Sequence, residues 1–172
     1  GLEINYISGP TWNEFQDMMK TGDLDVMLNT AYTEERDTYL DYTDPYMEFT
    51  TSLFIRESEP VINKIEEAFG KTVAIPKGFF WDELLKEYPQ VKILYVEDSA
   101  EAILAVSRGL ADITIDLIPI VNYLQNRLLI TNLKPGGTLG IGDSDSTTAY
   151  IVVSEGKELL LSILNKGMDS IS

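Results

Sequence analysis

"KTVAIPKGFFWDELLKEYPQVKILYVEDSAEAILAVSRGLADITIDL", residues 71–117, decides the fold. Three short runs, KTVAI (71–75), KILYV (92–96) and ITIDL (113–117), are apolar and rich in β-branched residues, so they read as strands. Between them, FFWDELLKEY ends before Pro89 and SAEAILAVSRG stops at Gly109, both with helical periodicity. Strands separated by helices cannot close as hairpins, so this spacing predicts parallel strands with right-handed crossovers. A third helix, PIVNYLQN (119–126), follows the last strand, and PVINKIEEAFG (60–70) precedes the first as a short helix ending at Gly70. KPGGTLGIGDSDS (134–146) reads as the turn-rich close of this unit.

Working outward, LEINYI (2–7) alternates like a strand. TWNEFQDMMKTGD (11–23) then carries a capping box, Thr11 with Glu14, ahead of a helix. Trp12, Phe15, Met18 and Met19 share one helical face, Gly22 supplies the stop, and DVMLN (25–29) follows as a buried strand. That is a second β-α-β start. Two extended runs, FTTSLFIRE (49–57) and TTAYIVVSE (147–155), separate the units, and an amphipathic helix, KELLLSILNKGMDSI, comes last. The expected architecture is α/β with two lobes: residues 1–57 with 147–172 as lobe one, and 58–146 as lobe two.

Composition excludes several functions. A net charge of −15, with the basic residues scattered, is unsuited to tracking phosphates, so no nucleic-acid partner is expected. Without cysteine or histidine there is no disulfide, no thiolate metal site and no histidine general base or zinc ligand. The 44% hydrophobic content suffices to bury a core, and no stretch reads as a membrane span or signal peptide. DSDST (143–147) lacks the glycine and glutamate of a calcium loop and reads as a turn. No metal or cofactor is expected.

In open parallel sheets, ligands bind beyond the carboxyl ends of the strands. Asn29, Ala31 and Arg36 lie there after DVML. Gly78, Phe79 and Phe80 follow KTVAI, and Asp116 closes ITID. An arginine and an aspartate facing one another suit a zwitterion, because guanidinium grips a carboxylate in paired hydrogen bonds and a carboxylate accepts from ammonium. The plainer reading of Arg36 is an exposed ion pair with Glu34 or Asp37, which supports little stability. For Asp116 it is a helix N-cap, for Trp12 a place in the core, and for Phe79, Phe80 and Trp81 either cleft lining or core.

Trp12 with MMKTGDLDVMLNTAYTEERDTYLDYTDPY (18–46), together with GKTVAIPKGFF, YVEDSAEAILAVSRGLADITIDLIPIVNYL and LLSILNKGMDSIS, resembles the bacterial extracellular solute-binding proteins of family 3. These are amino-acid-binding proteins of the periplasmic, Venus-flytrap type. The similarity is greatest to the subgroup joined to membrane sensor kinases and diguanylate cyclases. It implies a periplasmic-binding-protein-like fold that closes on a small amino-acid-like or carboxylate ligand outside the cytoplasm, without catalysis. It also implies that Arg36 grips the ligand carboxylate, that Asp116 receives the ammonium, and that Asn29, Ala31 and backbone groups at Gly78, Phe79 and Phe80 contact the ligand. Ala31 departs from the family's usual Ser or Thr, and Phe79–Phe80 from its usual Gly-Thr or Thr-Thr. The family's first strand, aromatic loop and helix have no counterpart before LEINYI, so lobe one is expected to be incomplete at its start. Its partner is expected to be a membrane-anchored signalling module or a permease, and an oligomer is compatible with the open edge. A cleft enzyme on the same fold, using Asp116 or Glu97, and a ligand-free protein-contact module remain as alternatives.

Overall fold

The computed structural model describes residues 3–141 and 146–170. Its helices are α1 (Trp12–Thr21), α2 (Phe80–Leu85), α3 (Ser99–Ser107), α4 (Ile118–Leu128) and α5 (Glu158–Asp169). Its strands are β1 (Val26–Thr30), β2 (Leu40–Tyr42), β3 (Met47–Arg56), β4 (Thr72–Pro76), β5 (Lys92–Val96), β6 (Ile113–Leu117), β7 (Leu133–Gly137) and β8 (Ser146–Ser154).

The 71–117 reading holds closely. β4 pairs in parallel with β5 on one side and β6 on the other. Alternation along the strands then creates two apolar faces. Leu53, Ile55, Val73, Ile75, Ile113 and Ile115 point to one face, beneath Trp81 and Leu85 of α2. Phe54 and Ala74 point to the other, beneath Ala102, Ile103 and Val106 of α3 and Val121 and Leu124 of α4. A sheet covered on both faces explains why its strands are almost continuously apolar.

α1 and β1 build a separate, smaller core, where Met19, Met27, Leu40 and Val152 are buried together and Trp12 and Phe15 pack against them. The Thr11–Glu14 capping box is formed, and Gly22 closes α1 in the left-handed conformation. β3 and β8 link the two cores. Residues 47–50 of β3 pair with 146–149 of β8, while the rest of β3 pairs with β6 and β7 and the rest of β8 with β1 and β2. The hydrogen-bonded path β1-β8-β3-β6-β4-β5 is therefore continuous through both.

Three sequence expectations are corrected. LEINYI is not a strand over its described residues: Ile4, Tyr6 and Ile7 are exposed and no strand pairs with them. Alternation defines a face, but a strand also needs a neighbour to satisfy its backbone. PVINKIEEAFG yields only a single 3-10 turn, Ile65–Ala68. KPGG is not a turn but most of β7, paired antiparallel with β3. Its glycines serve close approach: a Cβ on Gly136 would meet Ile55 at 2.8 Å, and one on Gly137 would meet the Ile62 carbonyl at 2.2 Å. Most of the DSDST motif lies outside the described residues.

Candidate functional site

The site is built where α1 and the turn after β1 meet the loop between β4 and α2. Ala31 leaves β1, and Thr33 then caps a tight turn, its hydroxyl accepting from the Arg36 N–H at 3.2 Å and its carbonyl from the Asp37 N–H at 3.0 Å. This 3-10 turn (Arg36–Thr38) carries the Arg36 side chain inward. Arg36 is 1% exposed, which overturns the plainer reading of it as an exposed ion pair. Its partner is neither Glu34 nor Asp37 but Glu83 of α2, whose Oε1 lies 2.9 Å from Nη2.

The guanidinium makes two further bonds. Nη1 donates to the Ala31 carbonyl at 2.9 Å, and Nη2 to the Gly78 carbonyl at 2.9 Å. Nε is buried and has no hydrogen-bond partner. The Trp12 ring lies 5.9 Å from the guanidinium carbon, within cation–π range.

Gly78 is the point where the two sides touch. Its carbonyl accepts from Trp12 Nε1 at 3.1 Å, Gln16 Nε2 at 2.7 Å and Arg36 Nη2 at 2.9 Å. All three donors come from the α1–β1 side. The loop is held from behind, because Asp82 accepts from the Gly78 N–H at 2.9 Å and from the Tyr95 hydroxyl at 2.8 Å. The backbone here favours glycine, and the space beside it is tight. Its φ is +76°, and a Cβ would stand 3.2 Å from Asn13 Oδ1. Gly78 thus takes part through its carbonyl; its N–H, expected to face a ligand, is taken by Asp82.

The other sequence-selected residues divide. Ala31 is buried and joins the cluster through its carbonyl. Phe79 stacks edge-on against Trp12, ring centres 5.7 Å apart, so it lies at the junction. Phe80 and Trp81 belong to the core beneath α2. Asn29 is exposed, has a φ of 56°, and accepts a hydrogen bond from the Tyr46 hydroxyl. Asp116 is buried at the end of β6, opposite Ser52, and accepts from the Leu117 N–H at 2.7 Å. Burial pushes its carboxyl above the usual range, with hydrogen bonds from Ser99 and Leu117 opposing. Among the described residues no hydrogen bond or ion pair joins Asp116 to Arg36.

A cleft of about 180 Å³ opens beside the cluster, lined by Thr11, Trp12, Asn13, Lys77, Val96 and Glu97. Trp12 is common to both: it walls the cleft and faces Arg36.

The full chain, residues 1–172, matches the model of the bacterial extracellular solute-binding proteins, family 3. It belongs to that family. The virulence sensor protein BvgS of Bordetella pertussis is 26% identical over the whole chain, and the chain spans 14% of that protein's length. The glutamine-binding protein GlnH of a Bacillus subtilis ABC transporter is 30% identical over 55% of this chain and 36% of its own. A histidine kinase sensor domain with similarity to periplasmic binding proteins superposes with a TM-score of 0.84, at 23% identity, over 94% of this chain and 69% of its own. The fold is that of the two-lobed periplasmic binding proteins.

Sequence reasoning missed Gln16, Glu83 and the hydrogen-bonding role of Trp12. Gln16 left a trace, as a polar residue on the apolar face of α1 that turns out buried. Glu83 left none, since an acid near a helix start is ordinary.

Proposed function

We propose that this chain is the extracytoplasmic solute-binding domain of a membrane sensor kinase, closing on a small amino-acid-like or carboxylate solute and catalysing nothing. The observation that carries this reading is Arg36: a guanidinium buried at the junction of the two sides and bonded to groups on both. Such a group has different partners in open and closed arrangements, and only that difference lets a ligand shift the equilibrium. In this reading residues 1–57 and 147–172 form one lobe and 58–146 the other, with β3 and β8 as the crossing strands. Arg36 binds the solute carboxylate and Asp116 its ammonium. Ala31, Asn29, Gly78, Phe79 and Phe80 complete the surroundings. The domain lies outside the cytoplasmic membrane, tethered through the chain beyond α5.

A second reading is favoured by the similarity to GlnH, in which the chain is the binding component of an amino-acid transporter. Both readings require a solute. A thermal-shift panel of amino acids and small carboxylates tests for one, since a ligand at a hundredfold excess over Kd stabilises by about 2.7 kcal/mol. Autophosphorylation of the full-length membrane protein that changes with the solute selects the sensor. A panel with no hit, at millimolar solute, removes both.

A further inference from the structure

We infer that Glu83 is a resident, internal carboxylate of the Arg36 site: it holds the two sides together in the absence of solute, and a carboxylate solute has to displace it. The inference rests on the reading of Arg36 as the carboxylate-binding residue. Arg36 is almost fully buried, and a buried guanidinium needs a counter-charge. Glu83 is the acid that supplies it, at 2.9 Å, and is itself 15% exposed. The other bonds of the guanidinium, to Ala31 and Gly78, go to neutral carbonyls that carry no charge to replace it.

The placement of Glu83 has a mechanical consequence. α2 carries Glu83 on the far side of the junction, next to the loop whose Gly78 carbonyl receives Trp12, Gln16 and Arg36. The acid and the carbonyl therefore pull on Arg36 from the same side of the junction, as a solute carboxylate wedged between the lobes would. The contact is also incomplete. Glu83 Oε1 meets Nη2, and Nε is buried without a hydrogen-bond partner. A free carboxylate that reached both Nη2 and Nε would replace a single ion-pair contact with the paired hydrogen bonds that guanidinium favours. An internal group can thus be resident and still exchangeable. Its cost is that an incoming carboxylate sees only the fraction of molecules in which Glu83 has swung away, and its apparent affinity falls by that fraction.

The test uses acetate as the probe, on the whole chain, with thermal unfolding in sodium acetate compared against sodium chloride at equal ionic strength. Glu83→Ala is expected to unfold at lower temperature than wild type and to be restabilised saturably by acetate, with an apparent affinity at least tenfold tighter than wild type shows. Adding Arg36→Met to Glu83→Ala is expected to abolish the acetate response. Equal responses to acetate and chloride in Glu83→Ala would overturn the inference, as would an acetate response that survives Arg36→Met. Glu83→Gln keeps the shape of the side chain and removes its charge. Hydrogen exchange at residues 12–16 and 76–83 should quicken in it by at least tenfold; unchanged exchange there overturns the inference even if Glu83→Ala does not fold. The two readings separate cleanly. Acetate rescue with no solute found for either wild type or Glu83→Ala leaves the internal carboxylate standing and removes solute binding. A solute that binds wild type, with no acetate rescue, does the reverse.

Discussion

The α1–β1 side and the β4–β5–β6 side differ in how many layers they have. Around β4 the sheet is sandwiched: α2 covers one face and α3 with α4 the other, and Phe54, Val73, Ala74, Ile103, Ile113 and Val121 have no exposed surface. Around β1 a small core is shared by α1, β2 and β8, and Ile4, Tyr6, Ile7 and Leu28 stand in solvent. β1 pairs only with β8 among the described residues, so its other edge is open. α5 has no buried residue. One side has a large core of its own, whereas the other has a small core and is joined to the first by the contacts at Gly78 and Arg36. Segments with few buried apolar contacts open at lower free energy than a doubly covered sheet.

The largest expected effect lies inside the sandwich. Phe54→Ala should destabilise by about 3–5 kcal/mol, the range for emptying a fully buried aromatic site, whereas exposed Leu159 on α5 should tolerate alanine within about 0.5 kcal/mol. Denaturant unfolding measures both. Hydrogen exchange gives the same comparison residue by residue: β1 amides should exchange well before those of β4 and β6, and the reverse order would break it.

Next comes the junction. Arg36→Ala should cost about 3 kcal/mol, the lower end for breaking a buried pair, because Glu83 retains some access to water. A loss below about 0.5 kcal/mol would return Arg36 to the status of a surface charge.

Asp116 gives an effect that depends on pH. Its folded pKa is raised by burial above the ordinary 3.8, so the folded chain holds that proton more tightly than the unfolded chain does. Stability therefore falls as pH rises through the window between 3.8 and the folded value, and the deficit persists above it. Asp116→Asn removes this term, so its stability relative to wild type should increase from acid to neutral pH. Thermal unfolding across that range checks it; a difference constant with pH would mean that Asp116 is solvated.

The smallest effect belongs to the less layered side. Thr11→Ala removes half of a capping box and should cost about 1 kcal/mol, seen as faster exchange in the first turn of α1. If exchange in β4 quickened as much, the two sides would unfold as one unit and the comparison would fail.

Much of this molecule is legible in its sequence. The strand–helix alternation of 71–117, the Thr11–Glu14 cap, the stop at Gly22 and the two long linking strands all follow from periodicity and backbone preference, which act over a few residues. The motif around Arg36 and the order of the others pointed to the family. What tertiary structure decided is everything that depends on two distant segments meeting. The described residues of LEINYI have the alternation of a strand but no partner strand among the described residues, and KPGG looks like a turn but lies as a strand because it pairs with β3, its glycines leaving room for Ile55 and Ile62. FTTSLFIRE and TTAYIVVSE were legible as extended runs, but not that they pair with each other and make one continuous path. Arg36 could be picked from the sequence, but not its burial, nor that Glu83 would meet it, nor that one glycine carbonyl would gather Trp12, Gln16 and Arg36. Local pattern sets which face of each element is apolar; which charge ends beside which is set only when the faces close on one another.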